Sequence, residues 1–194
     1  MADLHLAQQE DADSLLSRDP LALLIGMLLD QQVPMERAFA GPWTIASRLG
    51  VTELDPEAIA QHDPDEFVAL LSETPAVHRY PAAMAARVQK LAQAIVTDYD
   101  GDPEAIWRDC SDGRELLRRL KALPGFGKQK AQIFLALLAK QHGVTPTGWQ
   151  EAAGPYGEKG SRRSVADVVD EESLAEVREF KKAQKAAAKA SERP

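Results

Sequence analysis

Cysteine is almost missing from this 194-residue chain; Cys110 is the only one. That excludes an intramolecular disulfide and any cluster held by the cysteines of one chain. The four histidines are scattered without metal-ligand spacing, so neither a metal site nor a cofactor is expected. No apolar run reaches the roughly 20 residues that span a bilayer. The start Met1-Ala2-Asp3-Leu4-His5 lacks the basic residues and apolar stretch of a secretory signal, so a cytoplasmic protein is expected. Runs of alternating β-branched residues are missing too, which excludes a sheet-based fold.

What is present reads as helix nearly throughout. Asp19-Pro20, Asp55-Pro56 and Asp63-Pro64 each pair a capping side chain with a helix-starting proline. Leu21 to Leu29 is apolar all round, the mark of a helix buried in a core. Pro34 is expected to end or kink it. Met35–Phe39 and Pro42–Leu49 read as two further segments, the second closed by Gly50. Short helices are expected at about 56–61 and 64–71, and after Pro103 around Ile106 and Trp107. A longer one runs from Pro81 to Tyr99 with Met84, Val88, Leu91 and Ile95 at helical spacing. Gly113–Ala122, Lys128–Gln141, Trp149–Ala153 and Leu174–Ala190 complete the set. The expected class is all-α.

Charge is unevenly spread. The net charge is −7, yet residues 1–113 hold 7 Lys+Arg against 20 Asp+Glu, and residues 114–194 hold 16 against 10. Such asymmetry points to a polyanion partner for the second part. Its positive part begins with the helix 113–122, which joins the next helix through Leu123-Pro124-Gly125-Phe126-Gly127-Lys128. Glycines there can adopt backbone angles closed to other residues. Backbone N–H groups of Gly125, Gly127 and Lys128 can then face one phosphate, with the helix N-terminus behind them. Lys128 and Lys130 add salt-sensitive attraction. Such a device holds the sugar-phosphate backbone without reading a base.

Residues 20–140 resemble the helix-hairpin-helix DNA glycosylase superfamily, which includes endonuclease III and the alkyladenine glycosylases. Leu123 to Ala131 is similar to its hairpin and His78 to Ala94 to the helix before it. Pro20 to Val33, with Asp30-Gln31-Gln32-Val33 at its end, is similar to its early core helix. The resemblance implies a two-lobed helical fold with a cleft, double-stranded DNA as partner, and excision of a damaged base flipped into the cleft. Gln32 takes the place of the wedge that fills the emptied stack, with Gln31 beside it. A monomer is expected. The implied organisation is a glycosylase-like helical domain at 1–143, a Gly/Pro-rich basic segment at 144–170 completing it, and a basic C-terminal helix at 171–194.

The sequence departs from that family in three places. The lysine nucleophile of its strand-cleaving members is replaced by Gln129, and an amide forms no Schiff base. The catalytic aspartate position falls on Thr147, leaving Glu151 and Asp167 as candidate acids. The cysteine cluster of endonuclease III gives way to Gly154–Arg163, where Arg162 and Arg163 are candidate phosphate contacts. Tyr80, Trp149 and Tyr156 are candidates to stack on a flipped base. Lys181, Lys182, Lys185 and Lys189 share one helical face, suited to grazing DNA or to keeping the terminus in water. The expected activity is a monofunctional DNA glycosylase without lysine-dependent lyase activity. The alternatives are a DNA-binding protein that kept the fold and lost the acid, and a helical interaction module whose hairpin is only a turn.

Overall fold

A computed structural model describes residues 3–191. Met1, Ala2 and the last three residues of the basic tail lie outside them. Among the described residues the chain forms ten α-helices, three 3-10 turns and no strand. The fold is therefore all-α, as the missing β pattern requires.

The first lobe holds α1 (Glu10–Arg18), α2 (Pro20–Leu29), α3 (Met35–Leu49), α4 (Pro56–Gln61), α5 (Pro64–Ser72) and α6 (Pro81–Tyr99). The three Asp-Pro starts behave as read. Asp19 accepts from the Ala22 amide, Asp55 from that of Glu57, and Asp63 from those of Asp65 and Glu66, which satisfies amides that have no helical partner. Every residue of α2 from Leu21 to Leu29 is buried, and α1, α3 and α6 pack around it. Gly26 permits the closest approach: a Cβ there would lie 2.6 Å from the Phe39 ring of α3.

Several boundaries differ from expectation, among them the start of the last helix at Glu171 in place of Leu174. Residues 35–49 form one helix that runs through Pro42, not two segments. The missing proline N–H breaks one bond, but the close packing of Gly41 against Leu29 and Val77 keeps the two halves in line. Helix α2 stops at Leu29, ahead of Pro34: Asp30 leaves helical angles and Gln32 takes a φ of 58°. Trp107 lies just past the 3-10 turn Pro103–Ile106. Helix α1 had no counterpart in the sequence reading. Its Asp13 carboxylate reaches back to the amides of Ala7 (2.7 Å) and Gln9 (3.2 Å), folding the buried Leu4 and Leu6 onto the lobe.

The second lobe holds α7 (Gly113–Ala122), α8 (Lys128–Gln141), α9 (Trp149–Ala153) and α10 (Glu171–Ser191), with 3-10 turns at Gly154–Tyr156 and Val165–Asp167. Helix α8 is its axis, packed by α7, α9 and both turns. Helix α10 begins on the second turn, where Leu174 and Val177 are buried. Residues 182–190 of it are exposed. No described helix is long and apolar enough to cross a membrane.

Candidate nucleic-acid interface and cleft

The link between α7 and α8 is a tight turn closed by the Phe126 amide on the Leu123 carbonyl at 3.1 Å. Leu123 and Phe126 are buried, and the Phe126 ring meets Phe134 edge-on at 5.8 Å. With its apolar pair inside, the turn presents Gly125, Gly127 and Lys128 to solvent. The two glycines do different work. Gly125 has a φ of +83°, and a Cβ there would sit 2.4 Å from Leu28 Cδ1. It is required by backbone angle and by contact with α2. Gly127 has φ −71° and ψ 174°, open to any residue, and nothing lies within 4 Å of its Cβ position. The expectation that both glycines need unusual angles holds only for Gly125; Gly127 keeps a space clear in front of the α8 N-terminus.

The hairpin docks on the end of α2, and the cleft opens there. It has a volume of about 1070 Å³ and is walled by the α2–α3 loop, by Gln129, Lys130 and Ile133 of α8, by Tyr156, and by α10 from Arg178 onward. The Lys130 amine donates to the Leu28 carbonyl at 3.0 Å, satisfying a last-turn carbonyl of α2. This turns its charge into the cleft instead of along the hairpin rim. Burial pushes the Lys130 amine down to about 8.

Facing it is Asp30. Burial raises this carboxyl group above the usual carboxylate range, opposed by Lys181 and Lys130. No direct ion pair joins Asp30 to either lysine among the described residues; all three side chains line the cleft. Sequence reasoning missed Asp30, although it directly precedes Gln31-Gln32. The only signal was an acidic residue at the end of a wholly apolar helix. Glu36 also lines the cleft; one oxygen accepts from Arg178 of α10, and the other is buried without a partner.

The two glutamines of the loop have separate situations. Gln31 is fixed: its carbonyl accepts from His78 Nε2 at 2.9 Å, its side-chain oxygen from Arg87 at 2.8 Å, and its amide group donates to the Leu28 carbonyl at 2.8 Å. His78 is buried. Its Nδ1 accepts from the Tyr80 amide at 3.0 Å, which leaves the ring proton on Nε2 for Gln31. Gln32 stands exposed at the cleft rim, in the left-handed region that a non-glycine residue enters at a cost of about 1–2 kcal/mol.

The other candidates are dispersed. Tyr156 lines the cleft and accepts from Gln129 Nε2 at 2.9 Å. Tyr80 is exposed at the start of α6, with Arg79 5.4 Å from its ring centroid. Trp149 lines a separate cavity of about 330 Å³ beside Lys140 and Arg162. Glu151 is exposed. Asp167 is buried with its oxygens occupied: Lys140 at 2.6 Å on one, the Ser161 hydroxyl and the amides of Arg163 and Ser164 on the other. Arg163 lines the cleft and pairs with Glu158 at 3.3 Å. Arg162 pairs with Glu176 at 2.5 Å. The Thr147 backbone runs beside the start of α7, its carbonyl accepting from the Gly113 amide at 2.9 Å.

A solvent-facing hairpin thus stands beside a cleft between two helical lobes. The family model described as "HhH-GPD superfamily base excision DNA repair protein" matches residues 25–193. The chain belongs to that superfamily of DNA-binding repair proteins, whose members are generally DNA glycosylases. No curated protein and no solved structure matches it significantly.

Proposed function

We propose that the chain is a monofunctional DNA glycosylase that hydrolyses the N-glycosidic bond of a damaged base, and that Asp30 is its catalytic carboxylate. The observation that carries this reading is the position of Asp30 in the cleft, opposite Lys130 of the hairpin helix and two residues before Gln32. A duplex held at Gly125, Gly127 and Lys128 presents its strand to the cleft mouth. Gln32 enters the stack as the damaged nucleotide leaves it, and Tyr156 borders the space the base enters. The bond between C1′ and the base nitrogen then breaks, its electron pair leaving with the base. The sugar becomes cationic, and a carboxylate beside it stabilises that charge. Water adds to C1′, and the proton it loses ends on the departed base, which leaves a free base and a sugar hydroxyl. The burial that makes Asp30 costly to ionise makes its negative charge effective once a cation forms next to it.

Glu151 and Asp167 fit this role less well. The first is exposed, and the second is committed to Lys140 and the turn it caps. Gln129 offers no amine for a Schiff base, and the Lys130 amine is engaged by the Leu28 carbonyl. The non-catalytic alternative draws on Thr147, which holds the place of the family's aspartate outside the cleft lining.

The test is incubation with a panel of lesion-bearing duplexes followed by hot alkali, which should reveal breaks at one or more lesions. A parallel borohydride treatment on an abasic duplex should trap no adduct. Duplex binding without release on any lesion would support the non-catalytic alternative. An adduct lost in Lys130→Gln would overturn the monofunctional assignment.

A further inference from the structure

The hairpin accounts for one side of the cleft; the opposite wall is α10, and its composition is unusual for this molecule. Residues 178–189 hold five Lys+Arg against one Asp+Glu in an otherwise acidic chain, whereas several cations elsewhere are neutralised in place. Arg48 pairs with Glu73, Arg108 with Asp102 and Glu104, Arg119 with Glu115, Lys140 with Asp167, Arg162 with Glu176 and Arg163 with Glu158. On α10, Arg178 is tied to Glu36 and Lys182 stands 4.0 Å from Glu179, while Lys181, Lys185 and Lys189 have no ion pair among the described residues. Lys181, Lys182 and Lys185 line the cleft itself.

The helix is anchored at one end only. Leu174 and Val177 are buried, and Phe180 lies beneath the Arg163 guanidinium at 5.3 Å. Residues 182–190 are exposed and carry no apolar side chain larger than alanine. Hydrophobic burial therefore fixes where this half of the helix points but gives no reason for its sequence. Lysines four residues apart on a helix rise about 6 Å per step, so Lys181, Lys185 and Lys189 span roughly 12 Å. At 3.4 Å per nucleotide that length matches three or four phosphates of one strand.

We infer that α10 is a second DNA-backbone contact, in which Lys181, Lys182, Lys185 and Lys189 bind phosphates across the cleft from the hairpin. The inference rests on the DNA-binding reading of the same cleft and extends it to a helix outside the hairpin. With phosphates held on both sides, the nucleotide between them lies over Asp30. Ordinary attraction to polyanions is sufficient for this contact, so it adds affinity without base preference.

The experiment uses the full chain with Lys181→Gln, Lys182→Gln, Lys185→Gln and Lys189→Gln combined. Glutamine matches lysine in helix propensity, and circular dichroism checks that the helix survives. Anisotropy of a labelled duplex is measured from about 50 to 200 mM salt. The variant should lose at least about tenfold in affinity at low salt, and its salt slope should flatten by about 2 to 3, at about 0.9 per phosphate released. The four-arginine counterpart should bind as the wild type does. Unchanged affinity and slope in the glutamine variant would overturn the inference and leave the hairpin reading intact. A wild type with no salt-dependent duplex binding would overturn both.

Discussion

Gly127→Ala separates a phosphate-binding hairpin from a mere turn more cleanly than any change at Gly125. The backbone at Gly127 already has angles an alanine accepts, and no atom lies within 4 Å of the new methyl group. At an N-cap, alanine is worse than glycine by up to about 1 kcal/mol. Against that, it lowers the entropy of the unfolded chain by about 0.4–1 kcal/mol. The net change in stability should stay within about 1 kcal/mol. The methyl group nevertheless occupies the space where a phosphate would meet the exposed amides. A hydrogen bond to a charged group is worth about 1.5–3 kcal/mol, so losing one should weaken duplex binding roughly 10- to 150-fold. Gly125→Ala is the contrasting control. Its φ of +83° costs about 1–2 kcal/mol, and its Cβ would collide with Leu28 Cδ1 at 2.4 Å, so that variant should lose stability as well as binding. Denaturant unfolding and duplex anisotropy at one fixed salt concentration measure both quantities. A stably folded Gly127→Ala protein that binds DNA like the wild type would refute the reasoning and leave the hairpin a turn.

Gln32→Gly should raise stability by up to about 1 kcal/mol, because it relieves the left-handed angle, while base release from a duplex falls; thermal melts and single-turnover assays check the two signs. Asp167→Ala should cost up to about 3–5 kcal/mol in denaturant unfolding, since it leaves the partly buried Lys140 charge without its carboxylate, yet release per folded molecule should persist. The Lys130 amine titrates near 8 when folded against 10.5 in its ordinary state. The unfolded chain therefore binds more protons between those values, and the penalty of burying this charge lifts as pH rises from about 8 to 10.5. Melting temperatures of wild type and Lys130→Met should converge in the wild type's favour across that window, whereas a constant difference would contradict the burial of the charge.

The parts of the fold that were legible in the sequence are those set by local chemistry. Asp19, Asp55 and Asp63 cap helices because a carboxylate before proline has free amides within reach, whatever the rest of the chain does. The hairpin was legible for the same reason, with both flanking helices at their expected bounds. Where the chain as a whole decides, the pattern was silent or misleading. Pro42 reads locally as a break, but packing against Leu29 and Val77 carries α3 through it. Helix α1 depends on Asp13 turning back onto a preceding segment. The site shows the limit most clearly. Gln32 was visible as a candidate, but Asp30 gains its meaning only from Lys130, a hundred positions later, and from Lys181 on the last helix. Lys130 itself was read as a rim cation, because nothing near it in the chain says that the Leu28 carbonyl needs a donor.

The central claim is that the carboxylate of Asp30 performs chemistry on a nucleotide held in the cleft. Asp30→Asn keeps the size of the side chain and removes its charge. Single-turnover release should be compared between this variant and the wild type, on whichever lesion the panel identifies and with enzyme saturating over DNA. The account predicts a loss of about 10²- to 10³-fold in the release rate, with duplex affinity retained. An Asp30→Asn protein that releases the base at the wild-type rate would contradict it.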